Sequence, residues 1–472
     1  MSEIMNPTQN FAEFSFENMV AIFGVQSFVN IPQNSNYIGV STDTRSITLG
    51  NIFVALIGEV FDAHTKIADA FENGAAVCIV EKKWLESNAD YFPNKSFIVV
   101  ENTLHSLAEI AHYHRKRFHL PIIAVVGSNG KTTTKEIIAN VLASKGKILK
   151  TYGNYNNQVG VPLMLLMLDD SYKYAVLEIG TNEPGEVSLL SKVANPTQAI
   201  ITNIGLEHLE KLIDIDGVEM EETSIIAHLL RHHGFAYLNC DDPRLGKYAQ
   251  LIEQNMTFGI GSDFAVNGSV EYDAELKPII SVKIEETEFT VTSNIIGYAG
   301  AINSLGAIAI GIHNEVSIED IIKSINSFKP LQGTGYARMA LEKLSGFTLL
   351  NDCYNANPSS MEMALKTIGN LQASGKKIAV LGEMRELGDA SAESHLDIIT
   401  LAENVCDIVY TFGNDFTVAA KEIKGKTEAF ESKEELILHL KNNIAANDLI
   451  LVKGSRGCRM EEIVLAMRAI VN

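Results

Sequence analysis

Short runs of apolar residues, closed by glycine, asparagine or aspartate and followed by stretches of helical period, recur along most of the chain. I-I-A-V-V at 122–126, Y-A-V-L-E-I at 174–179 and Q-A-I-I-T-N-I at 198–204 are of this kind. Near-continuous apolar strands belong to a parallel sheet covered on both faces, because neither face meets water. Residues 1–118 show the alternation on a smaller scale: N-I-F-V-A-L, A-A-V-C-I-V and S-F-I-V-V, then the helical T-L-H-S-L-A-E-I-A-H-Y-H-R-K-R-F. H-L-P at 119–121 reads as a joint, since the residue before a proline is pushed out of helix. A more β-rich part, S-V-E-Y-D through E-F-T-V-T, leads to a helix near 303–312, and a second joint falls at 327–335, S-F-K-P-L-Q-G-T-G. The remainder repeats the pattern with F-T-L-L-N-D, K-I-A-V-L-G-E, I-V-Y-T-F-G and D-L-I-L-V-K-G-S.

The pattern predicts an α/β protein of three domains: 1–118, 119–328 with a mostly parallel sheet, and 329–472. A length of 472 residues is itself too great for one core. No internal repeat or low-complexity tract appears. The net charge of −20 argues against nucleic acid or an anionic membrane as partner. No apolar run approaches the roughly 20 residues of a membrane helix. M-S-E-I-M-N-P-T has neither the basic start nor the apolar core of a signal peptide. The five cysteines are scattered without C-x-x-C spacing, so neither a zinc site nor a disulfide frame is suggested. These features together lead us to expect a cytoplasmic protein.

The strongest chemical signal is G-S-N-G-K-T-T-T at 127–134, between the apolar run 122–126 and the helical K-E-I-I-A-N-V-L. Strand, glycine turn and helix start make a phosphate cradle. Backbone N–H groups of Gly127, Ser128, Asn129 and Gly130 face the anion, Lys131 reaches the terminal phosphates, and Thr132 offers a hydroxyl to magnesium, with Thr133 beside it. Val125 stands where the longer pattern has its first glycine, so this is the shorter form G-x-x-G-K-T. A plain glycine turn between strand and helix is the competing reading.

Ligands of open parallel sheets collect beyond the carboxyl ends of strands. Glu178 ends A-V-L-E-I-G, and His208 follows I-T-N-I-G-L-E-H. A carboxylate and an imidazole near a phosphate cradle could each hold a magnesium ion; a capping glutamate and a surface histidine are the alternatives. Asp352, Asn355 and Asn357 lie in L-N-D-C-Y-N-A-N-P-S-S-M directly after a strand, although Asn and Asp are also common turn residues. Lys453, Ser455 and Arg456 in K-G-S-R follow another strand and suit a carboxylate or phosphate, or form a solvated loop. Arg338 follows the second joint and could swing toward the phosphates from another domain.

Taken together and in order, these motifs resemble the Mur ligases over nearly all of the chain. S-T-D-T-R with L-G-N-I-F-V-A-L-I-G-E-V-F-D-A-H at 41–64 looks like the uridine-nucleotide domain of that family, and G-N-Y-N-N-Q-V-G-V-P-L at 153–163 like its muramoyl-peptide segment. N-D-C-Y-N-A-N-P-S-S-M, L-G-E-M-R-E-L-G and L-V-K-G-S-R-G-C-R-M resemble the branch that joins D-alanyl-D-alanine to UDP-N-acetylmuramoyl-tripeptide. The resemblance implies a UDP-substrate-binding domain, a central P-loop ATPase domain and a Rossmann-like C-terminal domain. It implies an ATP- and Mg2+-dependent ligase that works through an acyl phosphate in cell-wall synthesis, in a family usually monomeric. Thr42, Asp43, Thr44, Arg45, Asn154, Asn156 and Asn157 would meet the UDP substrate, and Asn303, Asp352 and Asn355 the nucleotide. Asn357, Lys453, Ser455 and Arg456 would meet the dipeptide. Lys131, Glu178, His208 and Arg338 would serve the reaction, with magnesium on Thr132, Glu178 and His208.

Two departures stand out. The family carries a carbamylated lysine in the helix after the histidine motif; here that position is Glu222, in G-V-E-M-E-E-T-S-I, and no lysine occurs between Lys211 and Lys247. Glu222 would replace the carbamate, directly or through water, the alternative being an exposed helix carboxylate beside Glu219 and Glu221. In G-Y-A-G-A-I-N at 297–303, Ala299 and Gly300 replace the usual ring residue and asparagine, leaving Asn303. The departures leave open a relative that binds nucleotide and UDP-peptide without turnover. A ligase with another acceptor, such as a sister Mur ligase or a folylpolyglutamate synthase, is the third reading.

Overall fold

The computed structural model describes residues 6–330, 337–344, 346–423 and 425–469. Its strands form one two-stranded and three larger sheets. The first large sheet has five strands, with Val77–Glu81 at its middle, parallel to Ile52–Val54 and Phe97–Val100. The helix Thr103–Arg115 leaves this layer and docks on the next. Its last turn binds carbonyls of the central layer: His112 Nδ1 lies 3.2 Å from Val193 O, His114 Nε2 3.0 Å from Leu168 O, and Arg115 Nε donates to Ala194 O at 3.1 Å. Arg115 also donates to Phe118 O, just before the first expected joint, at 2.6 Å. A helix C-terminus favours such cationic and donor side chains.

The central sheet has nine strands, seven of them parallel, ending in the antiparallel run Val266–Tyr272, Pro278–Ile284 and Thr287–Thr292. Ile122–Val126 is fully buried and lies between Tyr172–Glu178 and Gln198–Ile201, parallel to both. Chain order reverses at this strand, so the loops after all three converge at one end. The helices Lys131–Leu142 and Gly297–His313 cover one face, with Ile137, Ile138, Leu305 and Ile308 in a shared apolar core. The second helix starts at Gly297 rather than near 303, because Gly300 lets the first turn close on the preceding loop. A Cβ there would sit 1.8 Å from Ile295 O.

The third sheet has six strands, five of them parallel, with Ala340–Lys343 as an antiparallel edge. Thr348–Asp352 pairs with Leu449–Lys453 so that Asp352 lies directly beside Lys453. The edge strand and Thr427–Phe430 carried no strand pattern in the sequence. Residues 331–335 of the second expected joint lie outside the described residues. Among the described residues no helix is long and apolar enough to cross a membrane.

Candidate active site between the central and third sheets

A cleft of about 410 Å3 opens where the carboxyl ends of the central and third sheets face each other. Its floor is the turn 127–130. Gly127 has φ +116°, and a Cβ there would lie 2.3 Å from Thr202 Oγ1, so only glycine allows the turn to lie against the neighbouring strand end. Asn203 fixes the turn from that side, its Oδ1 accepting from Asn129 N at 3.0 Å. Gly130 then starts the helix Lys131–Leu142, whose N-terminal amides point into the cleft. Ser128 Oγ accepts from Gly205 N and donates to Gly205 O.

Lys131 folds back over this turn, its Nζ 2.5 Å from Gly127 O. It lies between two buried carboxylates, 3.7 Å from Glu207 and 3.8 Å from Glu222. Burial alone would lower its pKa, but Glu207, Glu222 and Glu178 outweigh that and hold it above the ordinary lysine range. Glu207 is pushed well above the carboxylate range by burial, partly offset by Lys131 and reinforced by Glu222. Thr132 Oγ1 donates to Glu178 Oε2 at 2.9 Å, and Asn156 Nδ2 donates to Glu178 Oε1 at 2.9 Å. Asn154 and Asn157 line the same wall, where Asn157 also accepts from Gly160 N. Asn303 approaches the turn from below, its Oδ1 3.0 Å from where a Cβ of Gly130 would be.

Glu222 is fully buried, not exposed on its helix. Its Oε2 accepts from Gly127 N at 2.7 Å, while its Oε1 has no hydrogen-bond partner. Glu219 and Glu221 are buried too, taken up respectively by Arg244 and Tyr248, and by the amides of Gly185 and Val187. The donor set fits a magnesium ion. Glu178, Glu207 and Glu222 place three buried carboxylates against one ammonium, and the Oε1 atoms of Glu207 and Glu222 are buried without partners. No three metal-ligating groups converge tightly enough among the described residues to form a closed cage. Magnesium is commonly held by one or two carboxylates together with waters and phosphate oxygens.

The third sheet supplies the roof. Asp352 and Lys453, read separately from the sequence, pair with each other at 2.6 Å, and Lys453 Nζ also donates to Asn355 O at 2.9 Å. Asn357 caps the helix Pro358–Asn370 and reaches across the cleft, donating from Nδ2 to Asn129 Oδ1 at 3.1 Å. Ser455 is buried, accepting from Arg385 N at 2.9 Å. Arg456 lines the cleft, its N–H donating to Asn355 Oδ1 at 3.2 Å. Arg338 stacks on the Tyr354 ring at 4.1 Å. Thr42, Asp43, Thr44 and Arg45 lie apart in the first layer, where Asp43 caps a short turn and chelates Arg45.

Sequence reasoning missed Glu207, although it adjoins His208, and Glu386, which lies inside the quoted L-G-E-M-R-E-L-G. Glu386 Oε2 is 2.5 Å from His208 Nδ1, and the hydrogen bond to His208 holds its carboxyl below the usual range.

Residues 125–311 match the Mur ligase middle domain, and residues 337–456 match the Mur ligase, glutamate ligase domain. The UDP-N-acetylmuramoyl-tripeptide–D-alanyl-D-alanine ligase of Bacillus subtilis (strain 168) is 34% identical over 439 residues, covering 90% of this chain and 92% of the relative. A crystal structure of MurF from Acinetobacter baumannii superposes with a TM-score of 0.87 at 29% identity, covering 98% of this chain and 100% of that one. MurF ligase from Thermotoga maritima in complex with ADP gives 0.81 at 28% identity, over 92% of this chain and 97% of that one. With its three-domain architecture and a full-length relative above 30% identity, the chain belongs to the Mur ligase family.

Proposed function

We propose that this chain joins D-alanyl-D-alanine to the terminal carboxylate of UDP-N-acetylmuramoyl-tripeptide, using ATP, in peptidoglycan synthesis. The observation that carries the reading is the shared cleft: Lys131, Thr132, Glu178 and His208 face Asp352, Asn355, Lys453 and Arg456 across it. The curated relative named above bears the same activity in its name. We place the domain limits at 118/119 and 328/329, and take the enzyme to be a cytoplasmic monomer, which light scattering on the purified chain would test.

Thr132, Glu178 and His208 would hold magnesium, with Glu207 and Glu222 behind them. Magnesium would neutralise phosphate charge and polarise the transferring group. The turn amides 127–130 and Lys131 hold the nucleotide, and Lys131 leaves Gly127 O to do so. Asn156 positions Glu178 from the segment that meets the tripeptide. The γ-phosphoryl group passes to the tripeptide carboxylate, giving an acyl phosphate and ADP. The dipeptide amine then attacks the acyl carbon, the C–O bond to phosphate breaks, and phosphate and a proton are released. The protein contributes orientation and charge placement, as phosphoryl transfer requires. The third domain roofs the cleft with Asn357 and Ser359, excluding water that would hydrolyse the acyl phosphate.

Phosphate release with ATP, magnesium and UDP-N-acetylmuramoyl-tripeptide, with and without D-Ala-D-Ala, tests the reading. Dipeptide-dependent release with a pentapeptide product by mass is expected. Nucleotide binding without such release would overturn it in favour of another acceptor or a non-catalytic relative.

A further inference from the structure

We infer that Glu386 is a positioning residue for His208, supplied by the third domain, so that seating this domain on the central one completes the metal site. The inference rests on the magnesium role assigned to His208 above.

Glu386 engages the turn after His208 twice. Its carboxylate takes His208 Nδ1 at 2.5 Å, and its carbonyl accepts from Glu210 N at 3.1 Å. Both partners adopt left-handed backbone, His208 with φ 49° and Glu386 with φ 64°, although neither is glycine. Non-glycine residues keep such conformations where surrounding contacts over-determine them, typically at functional sites. Beneath the pair, Leu387 is buried with Leu209 and Leu212 in one apolar core. Gly388 passes so close to the Glu210 backbone that a Cβ would sit 3.2 Å from its Cα. This docking strip continues through Ser359, whose Oγ accepts from Leu206 N at 3.1 Å.

The chemistry follows from the two ring nitrogens. A carboxylate facing Nδ1 accepts a hydrogen bond from Nδ1–H, which keeps the proton on that nitrogen and leaves the Nε2 lone pair available. Nε2 is directed to the cleft, 3.8 Å from Glu207 Oε2. If the third domain swings away, His208 loses the group that fixes its tautomer and ring plane. The metal site is therefore finished only when the roof is in place, which ties charge neutralisation to the exclusion of water. The sequence places no hint of this pairing near His208, because the carboxylate arrives from another sheet.

The test uses the full chain with Glu386→Ala and Glu386→Gln, the glutamine keeping an acceptor for Nδ1–H. Mn2+ affinity would be read by electron paramagnetic resonance with a non-hydrolysable ATP analogue at saturation, alongside kcat, KM for ATP and small-angle scattering. Loss of a partner behind a metal-ligating histidine lowers metal affinity about 10–100-fold. The alanine variant should show that loss and a fall in kcat, with KM for ATP little changed, and glutamine should restore a large part of the Mn2+ affinity. Unchanged Mn2+ affinity in the alanine variant would overturn the inference, whether or not scattering shows a more open shape. A wild type that binds Mn2+ but forms no pentapeptide would remove the ligase reading and leave the Glu386 comparison valid.

Discussion

Replacing Glu222 separates two jobs that the structure gives to one carboxylate. Its Oε2 holds Gly127 N at 2.7 Å, and its Oε1 lies 3.8 Å from Lys131 Nζ. Glu222→Gln keeps an acceptor for the amide and removes the charge. At 3.8 Å the gross attraction to Lys131 is about 4 kcal/mol in an effective dielectric near 20. Burying a carboxylate completely costs several kcal/mol. The two nearly cancel, so the glutamine variant should keep its stability to within about 1 kcal/mol. Glu222→Ala also strands the buried Gly127 N–H, at about 1–3 kcal/mol, which lowers the Tm of a domain of this size by about 2–12 °C. If magnesium sits in front of Glu222 as proposed, both variants remove the negative group behind it, and half-saturating Mg2+ should rise about 10–100-fold. Phosphate release against free Mg2+ at saturating nucleotide reads the second effect, and thermal unfolding reads the first. A glutamine variant with wild-type turnover and Mg2+ requirement, beside an impaired alanine variant, would refute the metal role and leave Glu222 as a prop for the phosphate turn.

Three further outcomes are expected. His114 is buried with its pKa pushed down to about 4, chiefly by burial, and accordingly donates to Leu168 O as a neutral ring. Its folded value lies below the unfolded one near 6.5, so the unfolded chain binds the extra proton and stability is lost as pH falls from about 6.5 to 4. The loss should reach about 3 kcal/mol, and His114→Gln should flatten that part of the Tm–pH curve. Lys453→Met leaves Asp352 buried and unpaired, which should cost about 3–5 kcal/mol. Adding Asp352→Asn should recover most of it in a urea-unfolding cycle, and full additivity would argue against the pair. Chelation of magnesium should weaken ATP binding by about 3 kcal/mol, about a hundredfold, by calorimetry.

What the sequence made legible was whatever is contiguous along the chain. The buried strand Ile122–Val126, the glycine turn and the helix after it could be read directly, because strand, cradle and N-terminus follow one another. Edge strands were invisible: A-L-E-K at 340–343 and T-E-A-F at 427–430 are not apolar runs and owe their conformation to a neighbour. E-M-E-E at 219–222 reads equally well as a solvated helix face, yet each carboxylate is buried and finds donors from other segments. Asp352 and Lys453 were separable in the sequence and inseparable in the fold, since adjacent parallel strands bring them into register. The His208–Glu386 contact needs two sheets to meet, and no local pattern encodes it.

The charge arrangement explains how a chain with net charge −20 can bind a polyanion. Lys131 is held between Glu207 and Glu222, and Lys453 is engaged with Asp352. Neither lysine offers uncompensated charge to an arriving nucleotide. Attraction must then come from the amides of the turn and helix N-terminus, and from a divalent ion brought in by the surplus of buried carboxylates. A bound ion would reverse the sign of the cleft floor. Held by Thr132, Glu178 and His208, with the unpartnered oxygens of Glu207 and Glu222 behind it, magnesium would leave Lys131 free to move from Gly127 O to phosphate. The carboxylates that make the cleft repel phosphate would then be the groups that make its affinity conditional on magnesium. An exchange of Lys131 between carbonyl and phosphate would then follow metal binding rather than precede it.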